Sequence, residues 1–347
     1  MSAHISMLFG EVGHVEIIAV QELGKMFAVK QKEPGMIGSL KAIFSPEFKQ
    51  VEAVKDVSFS VDEGETVAFI GPNGAGKSTT IKMLTGILHP TSGNATVLGM
   101  VPWHDRQLLS REIGTVFGQK SQLWYHLPPR DSFDLLARIY DMPRDAFSAR
   151  LGTLTDMFEL GGIMSTPVRK LSLGQRMRCE IAASLLHGPK VLFLDEPTIG
   201  LDVVAKRRIH ELILAMNREE GVTVFLTSHD VGDMEELCRR VIIINHGQLI
   251  LDTSVSALRR DYLKFKIVRV RLSDPIGGFD MHGVTVLKHK KANMKMSVDS
   301  EITSIDAVLG ELMRHSRIED ITISDPPTEQ VIAEIYQRED VGTVGGG

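Results

Sequence analysis

Cysteine is scarce in this sequence. The 347 residues include only 2, Cys179 and Cys238. They stand far apart and in no paired-ligand spacing, which excludes a disulfide framework and a cysteine-based zinc site and fits a reducing compartment. Long apolar runs are lacking too. The longest stretch free of Asp, Glu, Lys and Arg, from Met83 to His104, is broken by His89-Pro90-Thr91-Ser92-Gly93-Asn94. A spanning helix needs about 18 or more predominantly apolar residues. The start, MSAHISMLFGEVGH, has neither a cationic lead nor a long apolar core, so no signal peptide is expected and the chain reads as cytosolic. Positive charge is not in surplus: 39 Lys and Arg against 44 Asp and Glu give a net charge of −5. No global field therefore draws the molecule to nucleic acid or anionic lipid. What is present is ordinary globular material, 43% hydrophobic and 24% charged. That composition excludes disorder of the whole chain, and the length favours two domains.

The first strand expected is Val15–Val20. A segment from Pro34 to Pro46 follows, with Met36, Ile37, Leu40, Ile43 and Phe44 at helical spacing. Residues 25–50 hold five lysines against two glutamates. The stripe in that segment covers either the protein's own sheet or a membrane-side partner. Val57–Val61 alternates as a half-buried strand should. Thr66-Val67-Ala68-Phe69-Ile70 is continuously apolar after its threonine, the pattern of a strand buried on both faces, and Val191–Leu194 and Val222–Leu226 repeat it. Residues 130–190 read as helical, with Leu135, Leu136, Ile139 and Tyr140 on one face. Past residue 258 the texture becomes α+β: alternation over Phe265–Leu272, short strands near 284–288 and 294–298, and another at Ile318–Ile323. Between them a helix opens at Thr303-Ser304-Ile305-Asp306 with a stripe of Ile305, Val308, Leu309, Leu312 and Met313. Asp325-Pro326-Pro327 would start a last short helix. The terminal Gly-rich residues, 341–347, are expected to be disordered.

Chemistry enters at residues 71–78, GPNGAGKS, between an apolar strand and Thr79–Leu88, which reads as a helix. Gly71, Pro72, Asn73, Gly74, Ala75, Gly76, Lys77, Ser78 and the following Thr79 form a phosphate cradle. Gly74 and Gly76 let the backbone curl so that successive N–H groups face phosphate oxygens. Lys77 adds a cation for the outer phosphates, and the Ser78 hydroxyl suits Mg²⁺. The helix that follows places its positive end under the anion. The second half of the site is Val191-Leu192-Phe193-Leu194-Asp195-Glu196, an apolar strand delivering two carboxylates where an open parallel sheet holds ligands. Side chains alternate along a strand, so the two acids take different roles. Asp195 is the Mg²⁺ partner. Glu196 faces the γ-phosphate and orients or deprotonates water.

Leu171-Ser172-Leu173-Gly174-Gln175, twenty residues before Asp195, matches the LSGGQ signature of the ATP-binding cassette (ABC) ATPases, with leucine replacing the first glycine. The chain resembles that family over about residues 15–255. Gln119 in VFGQKSQLW, with Gln122 close by, matches its Q-loop; Ile199-Gly200-Leu201-Asp202 matches its D-loop, and His229 in LTSHD its switch histidine. The resemblance implies an α/β P-loop NTPase of ABC type. A mixed sheet core would carry a helical signature subdomain at about 120–185, within a domain over 1–257 that has an insertion at about 28–53. A small α+β appendage would follow over 258–340. It also implies a head-to-tail dimer, here a homodimer, enclosing two ATP molecules. The cradle of one copy would face Ser172, Gly174 and Gln175 of the other, with Asp202 in the joint. His229 would hold the γ-phosphate with Glu196, and Gln119 would touch Mg²⁺ or water. The family stacks adenine on an aromatic upstream of the cradle; Phe27 occupies the matching place, with Phe44 and Phe48 as alternatives.

The chain has no membrane segment of its own, so a channel would lie in separate integral membrane permease subunits, with this chain peripheral on the inner face of the cell membrane. EAVKDVSFSV, VFGQKSQLWYHLP and DPPTEQVIAEIY resemble a bacterial drug- or natural-product-exporter branch, which makes export the expected direction. Leu123-Trp124-Tyr125-His126-Leu127 would anchor a permease helix or pack inside the helical subdomain. The alternative is a soluble ABC-type mechanochemical ATPase acting on nucleic acid or ribosomes. One cradle, one signature, no sustained heptads and the acidic balance speak against it, and no nucleic-acid partner is expected.

Overall fold

The computed structural model describes residues 15–30, 48–118, 120–262 and 265–324. The chain divides into two units, one up to Asp252 and one from Thr253. The division falls five residues ahead of the boundary expected at 257.

The first unit is built around the apolar runs. Strand β3 (Thr66–Ile70) is buried at all five positions. It pairs in parallel with β7 (Thr223–Ser228) on one side and β8 (Arg240–Asn245) on the other. Beyond β7 lie β6 (Val191–Asp195) and β5 (Ile113–Phe117), and β9 (Gln248–Ser254) closes the other edge, giving the order β5-β6-β7-β3-β8-β9. A second sheet, β2-β1-β4, is antiparallel: β1 (Glu16–Lys30) lies between β2 (Phe48–Asp62) and β4 (Ser92–Val97). The inner faces of the two sheets meet in one core. Phe59 of β2 lies 5.7 Å from Phe69 of β3 and 5.7 Å from Phe225 of β7 by ring centroids, within the range at which aromatic pairs attract.

The hairpin β1–β2 revises the expectation for this end of the chain. The first strand does not stop at Val20 but runs to Lys30, and residues 48–53 belong to β2, with Ala28, Val29 and Lys30 opposite Gln50, Lys49 and Phe48. The expected insertion at 28–53 is thus strand at both flanks; its middle, with the expected helix at 34–46 and Phe44, lies outside the described residues. Helix α1 (Lys77–Leu84) is shorter than the Thr79–Leu88 reading at its far end. Gly86 turns left-handed there, at φ +70°, where a Cβ would sit 2.2 Å from Pro102 O.

Helix α2 (Arg106–Glu112) leads into β5. The helical part of the unit contains α3 (Pro129–Ile139), α4 (Arg144–Met157) and α5 (Leu173–Ser184). The buried face of α3 is Ser132, Phe133, Leu136 and Ala137. Leu135 and Ile139, expected on it, are exposed, because the 3.6-residue period rotates them one step off the inward arc. Helix α6 (Val203–Glu220) joins β6 to β7, and α7 (Val231–Leu237) follows β7.

In the second unit, helix α8 (Val255–Tyr262) precedes a four-stranded antiparallel sheet, β11-β12-β10-β13: β10 (Phe265–Leu272), β11 (Val284–Lys290), β12 (Asn293–Asp299) and β13 (Ile318–Ser324). Helix α9 (Ile305–His315) is capped by Ser304, whose hydroxyl accepts from Ala307 N at 3.2 Å. Val308 and Leu312 pack on Val268, Val270, Met294, Met296 and Val298 to make a separate core. Met313, expected in that stripe, is exposed. The expected short helix after Asp325 and the tail 341–347 lie outside the described residues.

Candidate functional site

Buried β3 delivers the chain into the 71–78 loop, and α1 begins as the loop ends. Gly74 and Gly76 both adopt positive φ, +84° and +105°, which glycine takes without steric cost. A Cβ at Gly76 would lie 2.5 Å from Ala53 O, so the loop lies against β2 through hydrogen alone. The turn His246-Gly247 between β8 and β9 supports the loop from below: Gly247 N donates to Ala75 O at 3.1 Å, and Lys55 N to Gly247 O at 2.8 Å. The cleft above has a volume of about 390 Å³. Its wall includes Asn73, Gly74, Lys77, Ser78, Thr79, Asp195 and Glu196.

Lys77 is only 5% exposed. Its ammonium donates to Gly71 O at 2.7 Å and Pro72 O at 3.2 Å and lies 3.6 Å from Glu196 Oε1. Burial pulls its pKa below the ordinary lysine value, opposed by Glu196 and Asp195. Ser78 Oγ donates to Asp195 Oδ1 at 3.0 Å, and Thr227 Oγ1 donates to the same oxygen at 2.6 Å. His229 Nδ1 lies 3.3 Å from Glu196 Oε1. Residues far apart in sequence therefore converge: the cradle from β3–α1, the acids from the end of β6, and Thr227 and His229 from the end of β7.

Glu196 has φ +54°, a strained value for a non-glycine residue worth about 1 kcal/mol. The turn is held from both sides. Glu196 N donates to Thr227 O at 3.1 Å, and Gly118 N to Asp195 O at 2.9 Å. A Cβ on Gly118 would approach Glu196 O to 2.6 Å, so the loop after β5 rests directly on the backbone of the two acids. Gln119, the next residue, lies outside the described residues.

The loop after β5 is also tied to the signature helix. Glu180 of α5 is 4% exposed; it accepts a short bond from Ser121 Oγ and another from Gln122 N at 3.1 Å, while Gln122 Nε2 donates to Glu180 O at 2.8 Å. Burial raises the Glu180 pKa, and these donors pull against it. At the start of α5, Ser172 and Gln175 form a capping box: Gln175 N donates to Ser172 Oγ at 3.2 Å and Ser172 N to Gln175 Oε1 at 3.0 Å. A Cβ on Gly174 would sit 2.9 Å from Ala205 Cβ, and one on Gly200 3.3 Å from Leu173 Cδ2. Asp202 caps α6 by accepting from Ala205 N at 2.8 Å. None of Ser172, Gly174, Gln175 or Asp202 is in the cleft wall of its own chain.

Behind the switch histidine lies a buried charged cluster. Asp233, 1% exposed, accepts from Ser228 Oγ at 2.6 Å and Thr198 Oγ1 at 2.7 Å and faces Lys206 Nζ at 3.0 Å. His210 of α6 has Nε2 2.8 Å from Asp233 Oδ1 and Nδ1 2.5 Å from Glu236 Oε2. Burial alone would lower the His210 pKa; the two carboxylates outweigh it and raise the value.

Phe27 is half-buried, with Lys25 Nζ 5.3 Å from its ring centroid. It pairs with Val51, two residues from the cleft-lining Ala53, and is not itself in the cleft wall. Phe48 stands at the far end of that ladder, exposed. Thr227, Gly118 and Glu180 were not singled out from sequence. Thr227 was within reach, since it lies two residues before His229 at the end of β7.

The protein side of the cleft suits Mg²⁺. Ser78 Oγ and Asp195 Oδ1, side by side, offer one hydroxyl and one carboxylate rather than a cage, and Mg²⁺ is held by one or two carboxylates together with waters and substrate phosphates. Among the described residues no cluster of three His, Cys, Asp or Glu forms a closed metal site, and no helix is long and apolar enough to cross a membrane.

Comparison with known proteins agrees with this geometry. Residues 54–199 match the family model described as ABC transporter. The chain is 32% identical over 215 residues to the ABC transporter ATP-binding protein NatA of Bacillus subtilis, covering 62% of this chain and 87% of that protein. It is 35% identical over 228 residues to the "Probable multidrug ABC transporter ATP-binding protein YbhF" of Escherichia coli, covering 66% of this chain but 39% of that longer protein. Among solved structures, cbiO1 from Clostridium perfringens, part of the ABC transporter complex cbiONQ, superposes with a TM-score of 0.59 at 27% identity, over 71% of this chain and 91% of that one. The ATP-binding cassette MJ0796, a dimer in a post-hydrolysis state with ADP and Pi, gives 0.57 at 26% identity over 69% and 98%.

Proposed function

The chain belongs to the family of ABC transporter ATP-binding proteins, and from that premise we propose that it is the ATP-driven motor of an exporter whose permease is made of separate chains. It is an ATPase of the ABC type. The observation that carries the reading is the convergence of Lys77, Ser78, Asp195, Glu196 and His229 on one cleft.

Each residue has a task the geometry supports. The loop's N–H groups and Lys77 bind the triphosphate, and the buried ammonium exchanges its carbonyl partners for phosphate oxygens. Ser78 Oγ and Asp195 Oδ1 are the oxygens that would hold Mg²⁺, with Thr227 orienting Asp195; when bound, the ion neutralises charge between the outer phosphates. Glu196 accepts the proton of the attacking water, and His229, beside its Oε1, fixes the carboxylate and faces the γ-phosphate. Gln119, outside the described residues, is assigned to Mg²⁺ or water on the family resemblance alone. Phe27 is our assignment for the adenine contact.

In this reading the site is completed by a second copy, which brings Ser172, Gly174 and Gln175 over the triphosphate and Asp202 to the joint. Their position outside the cleft wall of their own chain supports it. Two bound nucleotides hold the closed pair together, since ligand at 100 times its Kd contributes about 2.7 kcal/mol to the state that binds it; hydrolysis removes the bias. Trp124, Tyr125 and Leu127 are exposed after the Q-loop while Leu123 is buried, which favours their use as anchors for a cytoplasmic segment of the permease over internal packing. The chain then works at the inner face of the cell membrane. The likeness to the multidrug-named YbhF supports export. The test is affinity purification of the full chain from solubilised membranes. Recovery of integral membrane proteins, lost when Trp124 and Tyr125 are changed to serine, is expected; recovery of ribosomes or nucleic acid in their place would overturn the reading.

A further inference from the structure

The second unit has a charged face that ATP hydrolysis does not use. One side of its sheet is the apolar face packed on α9; alternate residues point to the other side. There Arg269 of β10 stands directly opposite Lys295 of β12, and Lys295 stands opposite Lys288 of β11. Three cations thus lie in a row across three strands. Arg271 and Lys290 repeat the pattern two residues along. All five line a concave surface of about 630 Å³ whose lining holds a single carboxylate, Asp320.

Like charges directly opposite in a ladder destabilise a sheet, and acids on the neighbouring strands would relieve the cost. Arg271 Nε is relieved in this way, 3.2 Å from Glu319 Oε2. Among the described residues, Arg269, Lys288, Lys290 and Lys295 have no carboxylate within ion-pair distance. In a chain of net charge −5 such a concentration is local, and an anion from outside is what would neutralise it.

We propose that this face binds the phosphate headgroups of anionic phospholipid, so that the second unit seats on the bilayer. The choice of lipid rests on the reading of the chain as a transporter motor working at a membrane. Two features weigh against nucleic acid. The lining holds no Phe, Tyr or Trp on which a base could stack, and stacking is the main device of single-strand readers. The row of cations spans three strands, about 10 Å at roughly 4.8 Å per strand, too short to track a duplex backbone.

The test uses the full chain and vesicles without any permease. Sedimentation with phosphatidylcholine vesicles, and with vesicles containing phosphatidylglycerol, is run at low and high salt, with ATPase measured on the same protein. Binding is expected to the anionic vesicles alone and to fall at high salt. Each cation near an anionic surface contributes about fivefold to binding, so changing Arg269, Lys288 and Lys295 together to Gln weakens it about 100-fold, with basal ATPase unchanged and the melting temperature not lowered. Equal binding by that variant, equal binding to neutral vesicles, or tighter binding to DNA at the same salt overturns the proposal. Residues 325–347 hold five acidic side chains against one arginine. Vesicle binding that appears only after Glu329, Glu334 and Glu339 are changed to Gln would make the chain's own end the occupant, and would likewise overturn it. Vesicle binding by a chain without ATPase activity would count against the motor reading and leave this face assigned.

Discussion

His229 Nδ1 lies 3.3 Å from Glu196 Oε1, the same oxygen that Lys77 approaches to 3.6 Å. One carboxylate oxygen is therefore steadied by two nitrogens, one from the start of α1 and one from just past the end of β7. Changing Glu196 to Gln preserves this shape and removes the base. Hydrolysis should fall by about 10²–10⁴-fold while ATP is retained. A phosphate-release assay beside size exclusion in saturating ATP checks both halves: a slow enzyme that accumulates as a dimer is expected.

Thr227 donates to the Asp195 oxygen that also accepts from Ser78. Changing it to Val removes the donor at nearly constant volume. Outer partners of a metal ligand are worth about 10–100-fold in metal affinity. The Mg²⁺ concentration giving half-maximal ATPase should rise by that factor, with the rate at saturating Mg²⁺ much less affected.

Glu180 receives the hydroxyl of Ser121 and the amide of Gln122 where almost no water reaches. Changing it to Ala strands both donors and should cost about 1–3 kcal/mol, read as a lower urea midpoint. Gln restores an acceptor for one donor only, so its midpoint should fall between those of the Ala variant and the parent.

His210 sits between Asp233 and Glu236, and its pKa is raised. A cation favoured by folding contributes fully below the unfolded histidine value of about 6.5 and is lost as pH climbs through the folded value. Urea midpoints taken from pH 6 to pH 9 should decline for the parent and follow a flatter course for His210→Gln.

The apolar runs made much of this legible. Three strands buried on both faces and one Gly-rich loop sufficed to place Lys77, Ser78, Asp195 and Glu196 at one sheet end, since a parallel sheet has only one edge where all its strands finish. His229 was legible only through the family resemblance, and the end of β7 brings it to the same place. Period-based readings of amphipathic helices did less well: Leu135, Ile139 and Met313 were assigned inward on spacing, and a rotation of one step put them outside. The length of the β1–β2 hairpin was hidden because its strands carry exposed Lys, Gln and Glu between apolar residues, so the pattern fades before the pairing does. Glu180 gave no local signal; its partners are distant in sequence, and only the fold brings them together.

Leu173 stands where the resemblance leads one to expect glycine, and a Cβ on Gly200 would lie 3.3 Å from its Cδ2, while one on Gly174 would lie 2.9 Å from Ala205 Cβ. The first turn of α5 thus packs closely against the turn at Gly200 and the first turn of α6. A side chain at position 174 would collide with Ala205 and force the starts of the two helices apart.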